Sequence, residues 1–461
     1  MGQMKMMKTK IPHLLARRLS VCFVLLGCVF VGQGQQPLSL LEATQLALSH
    51  NYGIELGRLR ADAAALNNAW GAAGALPQIG LTATTASAVS DQSENPTSFI
   101  QERLESESVN IGGQLNWTLF DGLGMFANKR RLELLTEQSA GELDLLIEQS
   151  LLAVITAYQS VVVQDVALEA LEASMAMSRD RLDWLSTRRS VGAAGEFDNL
   201  QFENALLLDS AAWVRQKVAR RTAQRNLNRL MGTDETQQWA LTSSLVVLQT
   251  ADQRFPDEEG LINKALNTTT TVRNAMLTVQ LAETGMDQAE SRLYPTLGLN
   301  VNLGDVRSQF AAGDLSGEGR TKNQSATLAL NFNLFNGGAT KRAIEQARIQ
   351  LDIAETNRMN ERAAVAQLLR DALDRYRTQE ELYGIARETT ANAEALLAIA
   401  ETRYDLGALN SFDLREVQLS VLQAKLREVQ ELLAWHQSQW DVERLTGGLL
   451  SGYGVVARPA E

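Results

Sequence analysis

Leu115-Asn116-Trp117-Thr118-Leu119-Phe120-Asp121-Gly122 returns, 215 positions on, as Leu330-Asn331-Phe332-Asn333-Leu334-Phe335-Asn336-Gly337. Upstream, Leu76-Pro77-Gln78-Ile79-Gly80-Leu81 returns as Tyr294-Pro295-Thr296-Leu297-Gly298-Leu299, and Ala47-Leu48 as Ala265-Leu266. Downstream, Gly192, Phe197-Asp198 and Gly232 return as Gly407, Phe412-Asp413 and Gly447. The spacing is far longer than a solenoid period, so one long unit is duplicated.

Within each unit the hydrophobic period switches. Ile111, Gly113, Leu115, Trp117 and Leu119 alternate with Gly112, Gln114, Asn116 and Thr118, a period of two that reads as strand. In the second copy Leu297, Leu299, Val301 and Leu303 alternate with glycine and asparagine, and so do Leu328, Leu330, Phe332 and Leu334. A weaker strand lies around Ile79 to Ala86. Each copy thus gives two strands, joined by polar stretches expected at Ser90 to Ser108 and Val306 to Ala326.

After the strands the period becomes helical. No proline occurs between Pro96 and Pro256 or between Pro295 and Pro459, and no glycine between Gly141 and Gly192. Met125 to Arg189 is rich in good helix formers and would run roughly 100 Å as one helix. Its copy, Ala339 to Tyr404, places Leu369, Tyr376 and Tyr383 seven apart, a coiled-coil spacing. Short glycine turns follow, Ser190 to Glu196 and Asp405 to Ser411. Return helices are expected over Phe197–Leu230 and Phe412–Leu445, making two antiparallel helical hairpins.

The strands admit two readings. One is a soluble sheet with one face on a core. The other is a membrane barrel, with apolar residues outward, uncharged polar residues inward and aromatics near one end. The second fits better, because the alternate positions are Asn, Gln, Thr and Gly. Four strands cannot close a barrel, and an open edge in lipid leaves backbone groups unpaired. Several chains must then share one barrel. Three would supply twelve strands and twelve helical rods.

The N-terminal residues 1–34 stand apart. Lys5, Lys8, Lys10, Arg17 and Arg18 precede the apolar run Val21 to Val31, and Gly32 and Gly34 follow, the order of a secretory signal. The run is too short for a membrane span. Both cysteines, Cys22 and Cys28, lie inside it, so the chain beyond has no disulfide or thiol chemistry. Leu25-Leu26-Gly27-Cys28 resembles a weak lipoprotein box, which would leave Cys28 lipidated.

The net charge is −11, and more negative once those five basic residues are set aside, which disfavours nucleic acid as a partner. Of three histidines, His13 lies in the signal, and His50 and His436 have no ligand partner one turn away. No catalytic motif, metal site or cofactor site is expected. The expected divisions are 1–34 signal, 35–232 first repeat, 233–259 connecting segment, 260–447 second repeat and 448–461 tail.

The order helix, strand, strand, long helix, glycine turn, return helix, twice over, resembles the TolC-like outer-membrane efflux proteins. The resemblance spans Leu38 to Gly447. It implies a mainly α fold with a small transmembrane β part, as a homotrimer whose 12-stranded barrel continues into an α-helical barrel. It implies an exit duct in the outer membrane of a Gram-negative cell. Its partners would be a periplasmic adaptor and an inner-membrane pump of RND or ABC type, in efflux or type I secretion.

The resemblance also implies site residues. Val191, Gly192 and Ala193, and Leu406, Gly407 and Ala408, fill the tip turns that would meet the adaptor. Asp413 and Glu416 would ring the periplasmic entrance with carboxylates. Tyr404 and Asp198 would latch it, while Leu409 stands where some relatives have an assisting arginine. By resemblance 233–259 would be a belt around the tube. Two other architectures fit the sequence less well. A periplasmic adaptor has one hairpin flanked by β-rich domains, and a coiled-coil fibre has no use for the strand pairs.

Overall fold

The computed structural model describes residues 36–190, 195–242, 255 and 257–449. The proposed signal, Cys28 and most of 243–256 lie outside them. Strand β1 (Gln36–Leu38) leads into helices α1 (Leu40–His50) and α2 (Tyr52–Asn67). Ser39 and Glu42 form a capping box at the start of α1, and the Asn51 side chain accepts from Gly53 and Ile54 to start α2. Strands β2 (Gln78–Asp91) and β3 (Arg103–Phe120) follow, then α3 (Gly124–Ser190) and α4 (Glu196–Met231).

A short strand β4 (Trp239–Leu241) pairs in parallel with β1. The second set comprises α5 (Glu258–Thr268), α6 (Thr270–Glu290), β5 (Thr296–Ala312), β6 (Leu315–Asn331), α7 (Ala339–Asp405) and α8 (Ser411–Leu445). The two long helices, α3 and α7, have 67 residues each. Each extends about 100 Å, as their lack of stop signals leads one to expect.

The sheet order is β2-β3-β5-β6, antiparallel throughout. The strand expected to be weak, β2, is fully paired along β3. The polar stretches expected to be connections are mostly strand. β2 runs on to Asp91, β3 begins at Arg103, and only Gly313 and Asp314 separate β5 from β6. Charged and polar side chains do not oppose pairing where their face is solvated, so the ladder continues past the apolar segment. At the other end β6 stops at Asn331, short of the expected Leu334, whereas its counterpart β3 reaches Phe120. β3 is flanked on both sides, and Phe120 pairs with Leu297; β6 is an edge strand.

Helical packing is continuous along the long helices. One buried cluster joins Leu369, Leu373 and Tyr376 of α7 to Leu432 and Trp435 of α8, and another joins Val154, Tyr158 and Val161 of α3 to Leu227 and Met231 of α4. Tyr158 Oη donates to the Leu38 carbonyl at 2.9 Å, tying β1 to the rod. Among the described residues no helix packs along either face of the sheet.

The junctions from strand to long helix need two consecutive left-handed residues. In the second copy both are glycine, Gly337 (φ 64°) and Gly338 (φ 78°); in the first, Gly122 (φ 73°) is followed by Leu123 (φ 71°). A leucine there costs about 1–2 kcal/mol.

Candidate functional site

The register fixes two faces for the sheet. Asn116, Gln114 and Asn110 of β3 share one face with Gln78, Thr82 and Thr84 of β2, and with Asn300 and Asn302 of β5. Ser325 and Asn323 of β6 complete it. No charged side chain of the four strands points to this face. The opposite face carries Ile79, Leu81, Ile111, Leu115, Trp117, Leu299, Val301, Leu303 and Leu328 in matched rows. Most of these apolar residues are open, Leu81 being 86% exposed and Leu328 63%, while Leu115, Leu299 and Val301 are half-buried. The Trp117 indole N–H donates to the Ala75 carbonyl at 2.9 Å, which holds the ring at the helical end of the sheet.

The outward rows from Leu297 to the level of Val109 cover ten residues, about 33 Å along the strand and about 25 Å in height at a barrel tilt near 40°; they stay apolar on β3 up to Val109, while on β5 and β6 the last two rows carry Asp305, Lys322, Arg307 and Arg320. That is the height of a membrane-barrel belt. All strands enter and leave the helices at one end and turn at the other, so the rods extend from one side of the belt.

The far ends of the rods form a second constellation. The α7 helix ends in a Schellman turn: the N–H of Gly407 (φ 72°) donates to Tyr404 O at 3.0 Å, and that of Ala408 to Arg403 O at 2.8 Å. This places Leu406 79% exposed at the tip. Val191, Gly192 and Ala193, expected at the other tip, lie outside the described residues. Asn410 caps α8, accepting from Asp413 N–H at 2.8 Å, and its amide donates to Asp413 Oδ2 at 2.8 Å. Glu416, one turn on, is exposed. Both carboxylates occupy the first turns of α8, where the helix dipole favours them.

Tyr404 is buried with Leu185, Phe202 and Leu414, its ring 5.6 Å from that of Trp184 and 5.2 Å from the Arg181 guanidinium. Arg181 also pairs with Asp405 at 2.9 Å. Asp198 takes its hydrogen bond from Ser411 Oγ at 2.5 Å rather than from Tyr404. Within one chain the two residues are therefore engaged separately, the Tyr404 ring against Trp184 of α3 and Phe202 of α4, and Asp198 with the start of α8. Leu409 packs into the same cluster.

A buried ion pair lies just above. Asp209 of α4 accepts from both ends of the Arg415 guanidinium of α8, at 3.0 and 2.5 Å, and from Ser174 and Ser178 of α3 at 2.9 and 3.2 Å. Asp209 is 4% exposed and Arg415 9%. These residues clasp the first hairpin to the second, and the sequence reading missed them. One local signal was present: Asp209 is a lone charge after the apolar run Ala205-Leu206-Leu207-Leu208.

Among the described residues no group of His, Cys, Asp and Glu could hold a metal. Midway along the rods, burial pushes the Glu148 carboxyl up to about 7; Arg444 and Arg273 counter the shift and Asp144 adds to it. Burial also raises Glu443.

Comparison with known proteins gives a consistent result. Residues 261–448 match the family model described as outer membrane efflux protein. The chain is 23% identical over 267 residues to the toluene efflux pump outer membrane protein TtgC of Pseudomonas putida, covering 57% of this chain and 53% of that one. It is 23% identical over 344 residues to protein CyaE of Bordetella pertussis, covering 72% and 69%. The match to TtgC thus spans about half of that relative's length.

Among solved structures it resembles the CmeC outer membrane channel of Campylobacter jejuni (TM-score 0.71, 18% identity, 89% of this chain and 85% of that one). It also resembles the MtrE outer membrane channel of Neisseria gonorrhoeae in its open state (TM-score 0.69, 15% identity, 89% of each). The second half of the chain thus resembles outer membrane efflux proteins in sequence, and the fold as a whole is that of the solved outer membrane channels.

Proposed function

We propose that this outer-membrane efflux homologue is the exit duct of a tripartite efflux or type I secretion system, working as a homotrimer. The observation that carries the reading is the sheet: one face apolar and uncovered, the other polar and uncharged, and the outer edges of β2 and β6 unpaired among the described residues of the single chain. A sheet of that kind is stable in lipid only when closed. Three chains closing edge to edge give twelve strands, enough for a barrel with an open lumen.

The internal duplication supports how the chains would meet. β3, the second strand of one copy, pairs with β5, the first strand of the next. Repeating that step pairs β6 with β2 of a neighbour. The helices follow the same logic. Within the chain, α3 packs on α6 and α8. The equivalent step sets α7 against a neighbour's α2 and α4. Exposed large apolar residues accumulate on those three helices: Leu56 and Leu66 on α2, Leu207 and Val214 on α4, Leu396 and Ile399 on α7. Their counterparts α3, α6 and α8 have few. An apolar stripe of this length calls for a partner, and a second copy of the chain fits it.

In this duct the repeats 35–232 and 260–447 act as equivalent staves. The exposed Leu406, Gly407 and Ala408, together with Val191, Gly192 and Ala193, would meet an adaptor, and Asp413 with Glu416 would form stacked carboxylate rings at the entrance, favouring cations. Tyr404 and Asp198 would act on the entrance through neighbouring hairpins. The purified protein is expected to extract only with detergent, run as a trimer that heat dissociates, and conduct ions in a planar bilayer. Full release in the periplasmic fraction, or a monomer without conductance, refutes the duct. Leu207→Glu with Val214→Glu should abolish the trimer. For the latch, unchanged channel opening in Tyr404→Phe and Asp198→Ala would refute that role.

A further inference from the structure

The strand charges are all on the outward face, and they are sorted. Beyond Leu303 the next outward positions of β5 and β6 are Asp305 opposite Lys322, then Arg307 opposite Arg320. Two arginines directly opposite each other in an antiparallel pair repel. One carboxylate serves the group: Arg320 Nε donates to Asp305 Oδ1 at 2.9 Å and its Nη2 donates to Oδ2, a two-point contact. Arg307 and Lys322 are exposed and have no ion pair among the described residues. The group carries three cations and one anion.

Its height decides what it meets. Arg307 is ten residues beyond Leu297, one belt height above the helical end of the sheet, so in the duct reading it stands at the outer boundary of the membrane. On the β3 side, its neighbours Ile111 and Val109 are apolar. One row further out the sign reverses: Gln309 is flanked by Glu107 and Glu318, and donates to Glu318 at 2.9 Å. That acidic row lies about 7 Å beyond the basic one, in water, where it is screened.

We propose that Arg307, Arg320 and Lys322, set around Asp305 on the outward face of the sheet, bind the phosphate of an outer-leaflet lipid headgroup. The inference rests on the duct reading for its membrane level. A phosphate accepts two parallel N–H bonds from a guanidinium and tolerates an ammonium beside it. It supplies the countercharge that Arg307 and Lys322 lack among the described residues. A lipid is the source favoured here, because the cations sit at the rim of an apolar surface and not in a closed pocket. The acyl chains would lie along Leu303, Ile111 and Leu328 below. The acidic row limits the site on the water side.

The test uses the full-length trimer in phosphatidylcholine nanodiscs doped with bis-phosphorylated lipid A, and measures lipid retained per trimer by native mass spectrometry. The wild-type protein should retain lipid A at least tenfold more than its dephosphorylated form. Arg307→Gln with Lys322→Gln should remove most of that preference. Arg307→Lys should keep part of it, and Glu318→Gln all of it. Equal retention of the dephosphorylated lipid overturns the proposal. So does a double variant that retains lipid A as the wild type does. Inorganic phosphate that displaces lipid A at low millimolar concentration shows a free-anion site and overturns the lipid assignment. Conductance and trimer content of each preparation are read in parallel. A wild-type protein that conducts but shows no phosphate preference refutes this site alone, whereas one that neither trimerises nor conducts refutes the duct.

Discussion

Replacing Asp209 by leucine should loosen the junction between the two hairpins by about 3–5 kcal/mol, the cost of leaving a buried charge without its partner. The structure supplies the reasons. Arg415 is 9% exposed and gives both ends of its guanidinium to Asp209, so it cannot turn to water without leaving its packing. Ser174 and Ser178 lose their acceptor in the same change. These losses share one site and do not add. Arg415→Met should cost less, because both serine hydroxyls still donate to Asp209. The double variant should recover most of the loss, since an apolar pair in place of a buried ion pair is often neutral.

A chain of long rods opens locally, so the measurement is amide hydrogen exchange over α4 and the start of α8. A loss of about 3–5 kcal/mol speeds exchange there by roughly 10²- to 10³-fold or more, at about 1.4 kcal/mol per tenfold. The double variant should show a coupling of several kcal/mol. If Asp209→Leu changes exchange less than tenfold, or the double variant is as damaged as the two single changes summed, the buried pair is not what holds the hairpins together.

Other expectations follow from single residues. The Glu148 carboxyl has a folded value near 7 against 4.5 unfolded, so the folded state holds the proton more tightly. Stability should therefore fall as pH rises from about 4.5 to 7, by roughly 3 kcal/mol at most. Glu148→Gln should flatten that slope in melts run across this pH range; an unchanged slope refutes the assignment. Gly122→Ala should be far worse than Gly337→Ala. Both need positive φ, but a Cβ at 122 would stand 2.2 Å from the Ser291 carbonyl oxygen, while at 337 nothing lies within 4 Å. Thermal melting of the two variants decides it, with about 1 kcal/mol expected at 337 and several at 122. Leu123→Gly should stabilise by up to about 1 kcal/mol by relieving its left-handed backbone, measured the same way.

Much of this protein is legible in its sequence because the deciding signals are local and doubled. The 215-residue echo marks two equivalent units. The period of two around Trp117 and Leu299 gives strands with one apolar face. The absence of proline, with a single interior glycine in each (Gly141 and Gly384), gives rods of 67 residues, and Gly407 ends one of them by the left-handed turn its position requires.

Other features depend on which distant residues meet. The lengths of the strands were misjudged, because a polar segment pairs or loops according to what runs beside it. The order β2-β3-β5-β6 sets Arg307 against Arg320 and leaves β2 and β6 as open edges, and neither follows from the pattern of one strand. The clasp joins Asp209 to Arg415 across 206 positions of chain, and its counterpart positions in the other copy, Ala424 and Leu200, carry no charge. Periodicity fixes which face of an element is apolar. Packing and register alone decide which charge on that element finds a partner, since they bring together groups that no local spacing relates.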